Sequence, residues 1–238
     1  MILSSPQTES GIGNGTWYWL LAAPASVVAC LLLWHNVFAV FAVYHLGFCL
    51  ILPAVRNLVV RRYPFSRHLR DLGLTGPGTA RGIGIGLVLG IVLAAGTILV
   101  FRWQGDALLA DQDVPAVLAR WGVDPTNLAA LFWFMTLVNG PAEELYWRGF
   151  LQGEMTDCQP RAADIFVTAA CYASYHGVTV YLLVANLAVA VLFLAAILAA
   201  GIGWGWLREK TDSVWPALLG HTAAAAAYMV VARPLLGM

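Results

Sequence analysis

Long apolar runs, broken by short polar stretches, set the pattern of this chain. Seven runs approach the roughly 20 mostly apolar residues that carry a helix across a bilayer. They are predicted at about 17–33, 36–55, 82–103, 128–151, 162–178, 181–207 and 214–232. The runs are continuous and do not alternate apolar with polar at every second position, so helices are expected and strands are not. The predicted fold class is all-α: a polytopic transmembrane helical bundle of about seven spans, read as one integral membrane domain over 1–238. Residues 1–16 are polar and contain no Lys or Arg. They lack the basic start of a cleavable signal peptide, so the first run is expected to be retained as a span.

The polar stretches assign the sides. Between the second and third runs lie Arg56, Arg61, Arg62, Arg67, Arg70 and Arg81 against one acid, Asp71. An arginine-rich loop marks the cytoplasmic face. The next loop, 104–127, holds Asp106, Asp111, Asp113 and Asp124 against Arg120, and is expected outside, with a short interfacial helix at 111–121. The loops 152–161 and 208–212 return to the cytoplasm. Gly82, Gly84, Gly86 and Gly90 suit close helix contact in the third span.

Composition agrees. The chain is 60% hydrophobic and 11% charged, with mean hydropathy +0.74, against about 25% charged residues in soluble domains. Formal net charge is zero, which gives no footing for nucleic acid. The cysteines, Cys30, Cys49, Cys158 and Cys171, have no paired spacing, so no disulfide framework or cysteine zinc site is predicted.

Candidate chemistry sits in the fourth run, where Glu143, Glu144 and Arg148 interrupt apolar sequence. A charge at the bilayer centre costs about 2.5–3.5 kcal/mol on insertion scales, so adjacent carboxylates there call for a role. Glu144 and Arg148 are four apart on a helix and can pair, which is read as structural. Glu143 points about 100° away and needs a partner from elsewhere. At about 1.5 Å rise per residue, Glu143, His176 and His221 fall about 15, 21 and 12 Å from their cytoplasmic helix ends. They are therefore expected to converge on one site. His35 and His45 are read as packing residues and His68 as solvated. Two chemistries fit. Glu143 could act as general base on water, with the histidines holding water or the oxyanion. Alternatively Glu143, His176 and His221 could bind a divalent metal such as zinc, although no HExxH is present. A Cys171–His dyad fits poorly, because Cys171 faces away from His176 on a helix.

Glu143-Glu144-Leu-Tyr-Trp-Arg148 resembles the EExxxR motif of the CPBP family, the CaaX proteases and bacteriocin-processing enzymes. Tyr172-Ala-Ser-Tyr-His176 is similar to its FxxxH motif, with Tyr for Phe. Trp215-Pro216-Ala-Leu-Leu-Gly-His221 resembles the approach to its last motif, where the family has Asn or Asp four residues after the His and this chain has Ala225. The resemblance covers a protease-like core of about 128–232. It implies a glutamate-dependent intramembrane endopeptidase in which Glu143 activates water with help from His176. His221 assists or stabilises the oxyanion, and Glu144, Arg148 and Tyr172 support the site. The cofactor implied is none or a divalent metal. The implied substrate is a membrane protein or lipidated peptide within the lipid bilayer, while the compact loops without an organelle signal point to a bacterial or archaeal cell membrane, crossed several times. Relatives in bacteriocin immunity keep a non-catalytic scaffold as the alternative. A carrier is disfavoured, since no inverted repeat or pair of broken helices is visible.

Overall fold

The computed structural model describes residues 14–109, 113–155, 161–184 and 186–233, all helices and connections without a strand among them. The helices are α1 (Asn14–Leu32), α2 (Val37–Val60), α3 (Phe65–Asp71), α4 (Thr79–Leu109), α5 (Val114–Arg120), α6 (128–155), α7 (Arg161–Leu183), α8 (Leu187–Thr211) and α9 (Trp215–Ala232). Six of them, α1, α2, α4, α7, α8 and α9, are long and apolar enough to cross a membrane. The chain is a multi-pass membrane protein. The remaining predicted span, α6, carries Glu143, Glu144 and Arg148 and is not among those six. It lies instead at the centre of the bundle, with Glu144, Tyr146, Trp147, Arg148 and Leu151 all inaccessible.

The outer helices show lipid what α6 hides. Val88, Ile91 and Val92 of α4 and Leu192 of α8 are largely exposed, an apolar surface suited to hydrocarbon rather than water. The opposite face of α4 packs on α9 through Gly82, Gly86 and Gly90. A Cβ at Gly86 would stand 2.7 Å from the Trp215 carbonyl oxygen, and one at Gly82 would meet Ser213 Oγ at 2.5 Å. Gly84, also predicted for contact, faces open space.

Loops assigned to one side from their charges do gather at one end of the bundle. Arg61 pairs with Glu154 through both terminal guanidinium nitrogens, and Arg161 pairs with Glu209 at 3.3 Å. The Val214 N–H donates to Gly73 O at 3.0 Å, and Trp215 Nε1 donates to Leu74 O at 2.9 Å. At the other end the Val37 N–H donates to Trp121 O at 3.0 Å.

Three local readings change. The fifth span continues to Leu183 instead of 178, because Gly177 is tolerated and the break comes where Asn186 caps α8 by accepting from the Ala188 and Val189 N–H groups. The interfacial helix begins at Val114, where Asp113 Oδ1 accepts from the Ala116 N–H; positions 111 and 112 lie outside the described residues, as do 1–13 and Cys158. His68 is buried rather than solvated, since α3 folds back and Asn57 Nδ2 donates to its Nδ1 at 3.2 Å.

Around the acidic pair the backbone of α6 widens. Turns of five-residue reach occupy 135–139 and 145–151 on either side of Gly140–Glu144. Pro141 offers no N–H to the ladder, and widened turns accommodate such a gap. They also recur at functional sites.

Candidate active site

Glu144 and Arg148 form the predicted pair. Arg148 Nη1 donates to Glu144 Oε1 at 3.0 Å, with both side chains fully buried. Arg148 Nη2 donates to the Gly201 carbonyl at 3.0 Å, and the guanidinium lies 4.5 Å from the Tyr172 ring centre and 5.4 Å from that of Trp204. Gly201 leaves room for this contact, because a Cβ there would meet Arg148 Nη2 at 2.9 Å. The charge is thus held by a carboxylate, a carbonyl and two π faces.

Glu144 Oε1 also meets His221 Nδ1 at 2.9 Å. The carboxylate accepts, so Nδ1 carries the proton and Nε2 faces the site. That Nε2 stands 3.9 Å from Glu143 Oε2. Trp204 stacks flat on the His221 ring at 4.9 Å and 14°, fixing its plane.

Glu143 is 2% exposed, and its two oxygens differ. Oε1 accepts from Tyr175 Oη at 2.8 Å and lies 3.5 Å from His45 Nε2. Oε2 is buried without a hydrogen-bond partner. A buried carboxylate oxygen in that condition is costly.

His176, one helix residue beyond Tyr175, is half-buried. Its Nδ1 donates to the Tyr172 carbonyl at 2.9 Å, so in the neutral ring Nε2 keeps its lone pair. The Tyr172 ring lies between the two histidines, 4.7 Å from His176 and 6.2 Å from His221. The His176 ring also lies 4.3 Å from that of Tyr175, whose hydroxyl donates to Glu143. The structure therefore gathers Glu143, Glu144, Arg148, Tyr172, His176 and His221 around one buried point. Among the described residues, no three His, Cys, Asp or Glu side chains stand where they could hold a metal ion. Glu143, His176 and His221 as placed are not a formed three-ligand cage.

Four residues at this point were not singled out for it from sequence. His45, read as a packing residue, touches Asn139 Oδ1 at 2.8 Å as well as Glu143. Tyr175 sits inside the quoted Tyr172–His176 segment, and Asn139 heads the stretch that carries Glu143; helical spacing could have flagged Asn139, four residues before Glu143. Tyr44 donates to Tyr175 across 131 positions, and no local signal finds it.

Comparison with known proteins bears on the same region. Residues 125–227 match the family model for the Rce1-like type II CAAX prenyl endopeptidase. No curated protein and no solved structure matches the chain. The matched region begins just before α6 and ends within α9, so it contains Glu143, Glu144, Arg148, His176 and His221 and leaves α1 to α5 outside. Residues 125–227, less than half of the chain, are thus similar to the Rce1-like family of CAAX prenyl endopeptidases.

Proposed function

We propose that the protein is a glutamate-dependent intramembrane endopeptidase, metal-free in its chemistry, that cuts a membrane-anchored or lipidated polypeptide. One observation carries the reading: a buried carboxylate, Glu143, has one oxygen fixed by donors and the other unpartnered, with His221 Nε2 3.9 Å away.

In this reading a water is held by Glu143 Oε2 and, through its second hydrogen, by the His176 Nε2 lone pair. Glu143 takes a proton as the water oxygen attacks the scissile carbonyl carbon. The carbonyl oxygen becomes an oxyanion. His221 in its imidazolium form donates to it from Nε2, because Nδ1 is already committed to Glu144. The methyl of Ala225, one turn further along α9, offers no second donor there. The intermediate collapses when Glu143 returns its proton to the leaving nitrogen and the C–N bond breaks. Glu144 and Arg148 act by holding His221 and the Tyr172 turn in place.

The membrane proteomes of cells carrying the wild type and Glu143→Gln test the proposal. Polypeptides shortened only in the wild-type cells are expected, and their new termini define the substrate class. Identical proteomes, with both proteins inserted at equal levels, would favour the scaffold reading instead.

A further inference from the structure

His45 lies on α2, outside the matched region, at the site's most consequential oxygen. It is 3% exposed. Its Nε2 reaches Asn139 Oδ1 at 2.8 Å and Glu143 Oε1 at 3.5 Å. Both are acceptors, so Nε2 carries the ring proton and offers it to the two α6 side chains together. Phe41, Tyr44 and Phe134 meet the ring edge-on at 5.8, 4.8 and 5.2 Å and fix its orientation.

The neighbouring residue on α2 works on the same oxygen by a longer route. Trp147 Nε1 donates to Tyr44 Oη at 2.8 Å, Tyr44 Oη donates to Tyr175 Oη at 2.9 Å, and Tyr175 Oη donates to Glu143 Oε1 at 2.8 Å. The direction is set at both ends, because an indole N–H only donates and a carboxylate only accepts. Both routes end on Oε1 and neither on Oε2.

We infer that His45 is a positioning residue for Glu143. It bridges Asn139 and Glu143 and, with the Tyr44–Tyr175 relay, occupies Oε1, so that Oε2 is the oxygen that takes the proton from water. The inference rests on the reading of Glu143 as general base. It makes α2 part of the catalytic apparatus rather than a lipid-facing support.

Two substitutions separate hydrogen-bond donation from packing. His45→Gln keeps a donor nitrogen four bonds from Cα, as in histidine, and loses the ring. His45→Phe keeps the ring among its aromatic neighbours and loses the donor. Cleavage half-times are measured by pulse-chase in cells, on the polypeptides shortened by the wild type but not by Glu143→Gln, with thermal stability of each purified full-length variant alongside. His45→Phe is expected to slow cleavage about 10–100-fold, the loss typical when an outer partner of a reacting group is removed, while staying folded. His45→Gln is expected to recover to within several-fold of wild type. A Phe variant as fast as wild type, or a Gln variant as slow as Phe at equal stability, overturns the assignment. If no polypeptide is shortened by wild type and spared by Glu143→Gln, the general base itself is removed, and the role of His45 with it.

Discussion

Neutralising Glu144 strands a charge at the centre of the bundle. Arg148 is inaccessible to solvent, and its only carboxylate partner within ion-pair distance among the described residues is Glu144, at 3.0 Å. In Glu144→Gln the guanidinium keeps the Gly201 carbonyl at 3.0 Å and the faces of Tyr172 and Trp204. Those contacts solvate part of the cation but do not balance its charge, and Nε already has no partner. Removing one member of a buried pair costs about 3–5 kcal/mol, a large share of the about 5–15 kcal/mol that holds a typical domain together. Glu144→Gln is therefore expected to unfold at markedly lower temperature in detergent, followed by tryptophan fluorescence. Adding Arg148→Gln removes the stranded charge and is expected to restore at least half of the loss. Activity should stay low in both, because His221 loses its anionic anchor at Nδ1. A Glu144→Gln protein within about 1 kcal/mol of wild type, or a double variant no more stable than the single one, refutes the reasoning.

The site's other consequences can be checked separately. Chelators such as EDTA or 1,10-phenanthroline are expected to leave the cleavage rate unchanged, and inactivation reversed by added zinc would contradict the metal-free reading. With native cysteines removed, a cysteine at position 65 is expected to react with an impermeant maleimide only after the cells are opened, and one at position 113 from outside; the reverse pattern would invert the topology. Burial holds His68 below the usual histidine range, with Asp71 opposing, so the fold favours its neutral form. Stability is then full above the unfolded value of about 6.5 and falls as pH drops below it. Wild type should lose more thermal stability between pH 7.5 and 5.5 than His68→Gln, which keeps an acceptor for Asn57 without titrating; equal losses would show that His68 is not responsible.

Where the sequence was readable, the cause was local. Run length and hydropathy locate the spans, and the four-residue spacing of Glu144 and Arg148 predicts their ion pair. The α7–α8 boundary was misplaced because the apolar sequence runs on through it with only a residue or two for a turn, whereas the Asn186 cap sets the break. His68 was misread because burial there comes from α3 folding back onto Asn57, a contact that charge patterning does not encode. His45 and Tyr175 illustrate the harder limit. The contacts of His45 with Asn139 and of Tyr175 with Glu143 join different helices across 94 and 32 positions. An isolated membrane histidine or tyrosine reads as packing until the bundle is assembled around it.

The most direct test is the cleavage rate of purified Glu143→Gln beside its thermal stability. Glutamine matches the size of the side chain and can still accept from Tyr175, but it takes no proton from water. The rate is expected to fall about 10²–10⁴-fold or more, while stability is unchanged or slightly higher because a buried charge is gone. A folded Glu143→Gln protein that cleaves at the wild-type rate would contradict the central claim.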